Sequence, residues 1–230
     1  ESLELTGISR RPPDTSREPY TGVSWHLLDI GREQDQPLLE EALRGVDAVV
    51  HLAWQSQPNR DLEQLYRTNV AGTRNVLAAA RTAGVKQVVC ASSVGAYSKA
   101  PKDRRMDESW PTAGMAGSHY SRHKAEQEKL LDEFAAAEPG IAVARLRPAL
   151  IFQPEAGSEI GRYFLGRLLP RLLPGRLRIP ILPAPDSLIF QAVHAHDVAD
   201  AYWRTLDQRA SGAFNIAAEP VLDPQELARI

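Results

Sequence analysis

Short apolar runs of strand length alternate with helix-like segments along nearly all of this 230-residue chain. The runs VDAVVHLA, VKQVVCASS and IAVARLRP are almost continuously apolar, whereas the segments between them carry apolar residues every three or four positions. Strands that are apolar on both sides need helices on both faces of their sheet, and parallel strands joined by helices meet that need. The sequence therefore predicts an α/β fold with a doubly wound parallel sheet.

The same pattern places individual elements. The opening run SLELTGIS predicts a strand, and PLLEEALRG predicts a helix that begins at a proline and ends at Gly45. Apolar residues spaced three and four apart from Leu62 to Ala80 predict a helix with one buried face that ends at Gly84. Residues 119–137 predict another helix.

Composition excludes several classes of function. The chain is 43% hydrophobic and 24% charged, with a formal net charge of −2, so it has a sizeable core and no electrostatic footprint for nucleic acid or an anionic membrane. No apolar run reaches membrane-spanning length. The single cysteine, Cys90, cannot form an intramolecular disulfide, which predicts a reducing, cytoplasmic setting.

Polar residues follow each predicted strand. Arg10 and Arg11 follow the first strand, Asp29 follows WHLL, the segment HLAW ends the next, and Ser92 and Ser93 follow KQVVCA. Ligands of doubly wound folds bind beyond the carboxyl ends of the strands. We therefore expect these residues to line one crevice.

Tyr120 and Lys124 lie four positions apart at the start of a predicted helix, so both side chains project from the same face. A phenol with a pKa near 10 is a poor base at neutral pH, and a neighbouring ammonium favours the phenolate and lowers that pKa. The pair is typical of proton-transfer catalysis at a substrate oxygen. The alternative is a tyrosine packed on the core beside a solvated lysine.

Several segments resemble, in order and spacing, the extended short-chain dehydrogenase/reductase family, which comprises NAD(P)-dependent epimerases, dehydratases and reductases. The resemblance extends from about residue 5 to residue 230. It is carried by Asp29-Ile30, HLA at 51–53, NVAGTRNVL at 69–77, SSVGAY at 92–97, YSRHK at 120–124, RPALIF at 147–152 and HAHDVADAY at 194–202.

The resemblance implies catalytic roles. Tyr120 corresponds to the general acid/base, Lys124 to the residue that tunes it and binds the nicotinamide ribose, and Ser93 to the donor that stabilises the substrate oxygen. Ser93 is favoured over Ser92 because it stands four residues before the tyrosine of SSVGAY. Asn69 corresponds to a proton-relay residue, although an asparagine that bonds to backbone within a bent helix is an equally good interpretation.

The resemblance also implies a dinucleotide cofactor. After the first strand the chain has Arg10 and Arg11 and no acid, which favours a 2′-phosphate and hence NADP, with NAD as the other possibility. The alternative is a pair of solvated loop arginines. The other residues implied to contact the cofactor are Asp29 and Ile30 at the adenine, His51, Leu52 and Ala53 along the adenosine and phosphate path, and Pro148 at the nicotinamide.

The implied partner is a small-molecule carbonyl or hydroxyl substrate. Trp54, Gln55 and His119 are candidate substrate contacts. The five arginines of segment 153–190 could clamp a nucleotide sugar or form a solvated face, and IFQP after Pro148 departs from the tyrosine-glycine-proline of nucleotide-sugar members. A homodimer is one possible assembly.

The implied organisation is a dinucleotide-binding domain at 1–152, a substrate-lobe segment at 153–190, a return to the sheet at 191–217 and the start of a lobe helix at 218–230.

The glycine-rich turn that the family places after its first strand is not found in this sequence. The first glycine, Gly7, lies inside the opening strand. We expect that strand to correspond to the family's second strand, with the first strand and its helix outside this sequence.

Two further points concern function. His194, His196 and Asp197 could ligate a metal by residue type, but no third histidine or cysteine stands nearby, so no metal site is predicted. A non-catalytic dinucleotide sensor or scaffold on the same fold is the alternative to an enzyme. Retention of both Tyr120 and Lys124 favours the enzyme.

Overall fold

The computed structural model describes residues 3–55, 60–153 and 188–229. The strands are β1 (Thr6–Ser9), β2 (Ser24–Leu27), β3 (Ala48–His51), β4 (Gln87–Ala91), β5 (Ala142–Pro148), β6 (Leu150–Phe152), β7 (Ala192–His194) and β8 (Gly212–Ile216). The α-helices are α1 (Gln36–Ala42), α2 (Leu62–Tyr66), α3 (Gly72–Ala83), α4 (His119–Ala137), α5 (Ala195–Asp207) and α6 (Pro224–Arg229).

The central sheet has the strand order β3-β4-β5-β8, and its strands are parallel. β1 pairs with β2 and β6 pairs with β7, and both of these pairs are also parallel. Each apolar run that predicts a strand contains a strand in the structure. The prediction of a doubly wound parallel sheet is confirmed.

Helices cover both faces of the central sheet. On one face Val88 belongs to a buried cluster that also includes Leu77 of α3 and Leu131 of α4. On the other face the neighbouring Val89 packs with α5 through Tyr202. Successive residues of β4 point to opposite faces, so the run is apolar because both faces are buried.

The predicted helix from Leu62 to Ala80 is present but contains a π-helical turn. This turn, Arg67–Ala71, separates α2 from α3. α3 ends at Gly84, as predicted, and Gly84 adopts the left-handed conformation with φ 71°. A side chain at that φ would be strained, so the glycine is suited to ending the helix.

Gly7 has a packing role in β1. A Cβ atom built on Gly7 would lie 2.5 Å from ring carbons of Trp25 on β2. The indole therefore covers the backbone at this point of the pair. This contact explains a glycine inside a strand without any ligand.

The predicted substrate lobe falls mainly on residues 154–187, outside the described residues, and so do its arginines Arg162, Arg167, Arg171, Arg176 and Arg178. β8 returns to the central sheet beside β5, and β7 pairs instead with β6.

Within the described ranges no helix is long and apolar enough to cross a membrane.

Candidate active site

The carboxyl ends of the central strands form one edge, and the predicted site residues leave the sheet there. His51 at the end of β3 is in register with Cys90 on β4, and Ala91 is in register with Leu146 on β5. Residues 52–55 and 92–93 therefore emerge side by side. This edge is where ligands bind in doubly wound folds.

Helix α4 brings its first turns onto this edge. Ser118 caps the helix by accepting a hydrogen bond from the Ser121 amide, and the Ser121 hydroxyl donates to the Gly95 carbonyl at 2.6 Å. Tyr120 and Lys124 share one helix face, as the spacing predicts. The cap and the Ser121 bond fix the start of α4 relative to the segment after β4, and so fix the positions of Tyr120 and Lys124 along that edge.

Ser93 and Tyr120 contact each other. Ser93 is extended, its Oγ accepts a hydrogen bond from the Gly95 amide at 3.0 Å, and its side chain hydrogen-bonds the Tyr120 phenol. Burial raises the pKa of Tyr120, and the bond with Ser93 partly opposes that rise. Ser92 is buried and points to the other side, where it donates to Glu128. The geometry therefore favours Ser93 over Ser92 as the serine that acts with Tyr120.

Lys124 lies beneath the same edge. Its Nζ donates to the Ala91 carbonyl at 2.6 Å and to Gln127 Oε1 at 3.1 Å, and it stands 3.5 Å from the centre of the Trp54 ring. Burial lowers the pKa of Lys124 to about 8. The expected lowering of the Tyr120 pKa by Lys124 is not seen in this arrangement, because the ammonium is held at the end of β4 and under the indole.

Trp54 lies between the two candidate catalytic side chains. Its ring meets the Tyr120 ring edge to face, with centroids 5.6 Å apart. Its buried Nε1 has no hydrogen-bond partner among the residues that the structure describes. A buried indole donor without a partner costs about 1–3 kcal/mol, so a ligand that offers an acceptor to this indole would recover that cost.

Asn69 bonds to backbone. It lies in the π-helical turn, where its Oδ1 accepts from the Gln55 amide at 2.7 Å and its Nδ2 donates to the Gln55 carbonyl at 3.1 Å. The Gln55 side chain is itself engaged by Gln64 and Thr68. This geometry matches the backbone-bonding interpretation of Asn69, since both ends of its amide bond to the backbone of Gln55.

His51 is buried, and its Nε2 lies 3.0 Å from Thr73 Oγ1. Thr73 donates its own proton to the Asn69 carbonyl, so His51 Nε2 carries a proton and donates to Thr73. Burial lowers the pKa of His51 to about 4, and the imidazole is neutral at pH 7. Leu52 and Ala53 are exposed along the edge.

Asp29 and Ile30, the two residues predicted to contact adenine, are held by hydrogen bonds and, for Asp29, by nearby guanidinium groups. Asp29 accepts a hydrogen bond from the Gly31 amide and lies 3.8 Å from the guanidinium groups of both Arg32 and Arg67. The Ile30 carbonyl accepts from Asn75 on α3 at 2.7 Å.

The remaining predicted residues lie around this site. Arg10 and Arg11 are exposed just after β1, next to the end of β2. Pro148 is buried at the end of β5. His119 Nδ1 pairs with Arg122, so this ring already has a partner.

Gly95 is a site residue that the sequence interpretation missed. A Cβ at this position would lie 2.9 Å from Tyr120 Cε1 and 3.3 Å from Ser93 Oγ. The absence of a side chain lets the phenol ring approach the serine. The only signal in the sequence is the glycine of SSVGAY, two residues after Ser93.

Gly95→Ala is expected to lower turnover about tenfold or more, since a displacement of the Tyr120 ring by a few tenths of an ångström misaligns the candidate proton-transfer group. Steady-state kinetics with an active substrate measures the effect. Gly140→Ala is the matched control, because a Cβ there meets no atom within 4 Å. Unchanged turnover in Gly95→Ala would contradict the close approach.

Within the described ranges no group of three His, Cys, Asp or Glu side chains could hold a metal ion. His194 instead caps α5, with its Nδ1 accepting from the His196 amide at 3.2 Å.

Parallel strands with helices on both faces, and with serine, tyrosine and lysine side chains at their carboxyl edge, place the chain in the class of Rossmann-like α/β folds. Residues 1–217 match the model of the NAD dependent epimerase/dehydratase family. The chain belongs to this family.

Known proteins that resemble the chain include a reductase and a sterol demethylase protein. A putative dihydroflavonol 4-reductase of Synechocystis is 32% identical over 72% of this chain and 48% of its own length. Sterol demethylase protein B of Methylococcus capsulatus is 33% identical over 72% of this chain and 49% of its own length. The chain thus spans about half the length of these two relatives.

The solved structure of Thermus thermophilus UDP-glucose 4-epimerase in complex with NAD resembles the chain with a TM-score of 0.72 and 25% identity. The match covers 99% of this chain and 74% of that one. Structural neighbours of the chain therefore include a protein that binds NAD.

Proposed function

We propose that this chain carries the cofactor-binding and proton-transfer residues of an NAD(P)-dependent oxidoreductase or epimerase that acts on a small carbonyl or hydroxyl compound. The observation that carries this proposal is the meeting of Ser93, Tyr120 and Lys124 at the carboxyl edge of the parallel sheet. Family membership and relatives that are reductases and epimerases support it.

Each of the three side chains has a distinct chemical task. The Tyr120 phenol gives a proton to the substrate oxygen, or takes one from it, as the carbon beneath gains or loses a hydride. Ser93, already bonded to that phenol, donates to the same oxygen as negative charge develops there. Lys124, a buried cation one turn along α4, binds the cofactor ribose and favours the phenolate when it is released from the Trp54 ring.

The residues at the strand ends fit a dinucleotide. Exposed cations stand after β1 and a carboxylate stands after β2. At the carboxyl edge of the central sheet lie the Lys124 ammonium and the Trp54 Nε1, which has no hydrogen-bond partner in the described part of the chain. When bound, the nicotinamide would supply or accept the hydride. Arg10 and Arg11 would hold the 2′-phosphate of NADP, and Asp29 and Ile30 would hold the adenine.

Replacing both Arg10 and Arg11 with alanine is expected to weaken NADPH binding about tenfold or more while changing NADH binding less than about twofold, since only NADPH carries the 2′-phosphate. Fluorescence titration of the full-length protein with each coenzyme measures this. Arg17→Ala is the control, because Arg17 lies in the same loop but pairs with Asp14. An equal loss for both coenzymes would count against NADP as the preferred cofactor.

Among the candidate substrate contacts, Trp54 is the strongest. Gln55 is tied to Asn69, Gln64 and Thr68, and His119 is paired with Arg122, whereas the Trp54 ring packs directly on Tyr120. An aromatic wall beside the acid/base suits the apolar part of a ketone, an aldehyde or an alcohol.

Substrate conversion by the full-length protein tests the proposed activity. Small carbonyl compounds with NADPH, and the matching alcohols with NADP, are screened by cofactor absorbance and by product analysis. Net cofactor turnover identifies a reductase or dehydrogenase, and substrate conversion without net turnover identifies an epimerase or dehydratase. If neither coenzyme binds, the proposal is overturned.

A further inference from the structure

A buried carboxylate lies at the deep end of the helix face that carries Tyr120 and Lys124. Glu128 follows Lys124 by four residues and is 0% exposed. It accepts hydrogen bonds from Ser92 Oγ at 2.5 Å, from Arg147 Nε and Nη2 at 2.8 Å each, and from Arg145 Nη1 at 3.2 Å. Burial opposes ionisation of Glu128, but these partners outweigh it and lower the pKa of Glu128 below its ordinary value.

The helix face contacts three consecutive residues at the end of β4. Lys124 bonds to the Ala91 carbonyl, Glu128 bonds to the Ser92 hydroxyl, and Tyr120 bonds to Ser93. Only the Ser92 bond involves neither of the two side chains that face the cofactor and substrate. Successive residues of an extended chain point in opposite directions, so the orientation of Ser92 also sets that of Ser93.

Arginine side chains of β5 hold Glu128 from the other side. Arg147 Nη1 donates to the Tyr97 hydroxyl at 2.9 Å and to the Glu108 carbonyl at 3.0 Å. The Tyr97 hydroxyl in turn donates to Asn215 Oδ1 on β8 at 2.7 Å. The carboxylate is therefore fixed relative to the sheet and cannot follow a displaced Ser92 without breaking buried, charge-assisted bonds.

We propose that Ser92 and Glu128 are positioning residues, whose hydrogen bond holds the end of β4 so that Ser93 meets Tyr120. This inference rests on the proposed function, because it assigns Ser93 and Tyr120 to the reaction. Neither Ser92 nor Glu128 touches the substrate. They act through Ser93.

Ser92→Ala is the cleanest test because it removes the hydroxyl and changes no charge. Turnover is expected to fall about tenfold, while KM and the cofactor dissociation constant change less than about twofold. Without the Ser92–Glu128 hydrogen bond, Ser93 shifts and its bond to the Tyr120 phenol weakens, so the pKa of Tyr120 rises. The limb of the kcat–pH profile that reports phenolate formation therefore moves to higher pH, which a loss of stability alone would not cause.

The ionisable groups on the elements packed around Tyr120 are the same in this variant and in the wild type. They are His119, Arg122, His123, Lys124 and Glu128 on α4, Cys90 on β4, Arg145 and Arg147 on β5, and His51 at the end of β3. Loss of the Ser92 bond also raises the pKa of Glu128, but a carboxylate titrates on the acid side of the profile, so the shift of the phenolate limb is assigned to Ser93.

Two further variants make the test specific. Ser93→Ala removes the whole bond, so it should shift the profile in the same direction and at least as far. Ser92→Ala added to Ser93→Ala should cause no further loss, because Ser92 acts only through Ser93. Asp132→Asn is the control, since Asp132 also pairs with Arg145 from α4 at 2.5 Å but lies 67% exposed and away from Ser92. It should leave turnover unchanged.

Crystal structures of the wild type and Ser92→Ala provide a readout that does not depend on activity. The inference predicts that Ser93 Oγ moves off the Tyr120 hydroxyl in the variant. If Ser93 stays in place, or if the two serine variants have additive effects on turnover, the inference is wrong. If the wild type has no activity but Ser93 moves, the positioning role stands and the proposed function fails.

Discussion

Tyr120→Phe is expected to lower turnover by a factor of about 10² or more and to leave cofactor affinity nearly unchanged. The substitution removes only the phenol oxygen, so the ring still packs against Trp54 while the proton-transfer group is lost. Turnover is measured with an active substrate, and cofactor affinity by fluorescence titration of the same preparation.

Tyr66→Phe is the matched control for this result. Tyr66 also packs edge to face on α4, against His123, but its phenol is not part of the proposed site. It should retain wild-type turnover. Wild-type turnover in Tyr120→Phe would contradict the assignment of the general acid/base.

Lys124→Met is expected to impair both cofactor affinity and turnover, each by a factor of about 10 or more, because one ammonium serves the ribose and the phenol. The two effects are separated by titrating the cofactor and by measuring turnover at saturating cofactor. Lys129→Met is the control, since Lys129 is an exposed lysine of α4 that pairs with Glu133. A loss of turnover with unchanged affinity would show that the ribose contact is wrong.

The same variant has a signature in stability. The pKa of Lys124 is about 8 in the folded protein, below the ordinary 10.5 that applies when the chain is unfolded. Between these values the unfolded chain binds more protons, so this residue makes the free energy of unfolding rise with pH from about 8 to 10.5. Burial raises the pKa values of Cys90 and Tyr202, which lowers the free energy of unfolding with pH in both proteins. The free energy of unfolding of the wild type minus that of Lys124→Met, measured by urea unfolding, should therefore rise across this range.

The sequence predicted the fold well because the spacing of apolar residues reflects which faces of a strand or helix are buried. The run VKQVVCASS is apolar at every central position since Val88 and Val89 face two different buried clusters. Gly84 marked the end of α3 because its left-handed φ is costly for other residues. Such signals are local, so they can be recognised without knowledge of the partners.

The side-chain partners at the site could not be predicted in the same way. Asn69 bonds to the backbone of Gln55 through both ends of its amide, and Lys124 bonds to the Ala91 carbonyl beneath the Trp54 ring; the spacing predicted neither set of contacts. Contacts of this kind depend on how separate elements pack. A spacing in the sequence fixes which face a residue lies on, but not what it meets across the interface.

Glu128 illustrates the same limit. Its place eight residues after Tyr120 puts it on the face of α4 that carries Tyr120 and Lys124, and this could have been read from helical spacing. Its partners Ser92 and Arg147 stand 36 and 19 residues away in the chain. Only the structure joins them into one buried cluster.

Coenzyme binding by the full-length protein tests the central claim most directly. NADPH and NADH are titrated separately, with binding followed by the fluorescence of the reduced nicotinamide and by quenching of tryptophan. The account predicts saturable binding that is tighter for NADPH and is weakened in Lys124→Met. No binding of either coenzyme, or an unchanged dissociation constant in Lys124→Met, would contradict it.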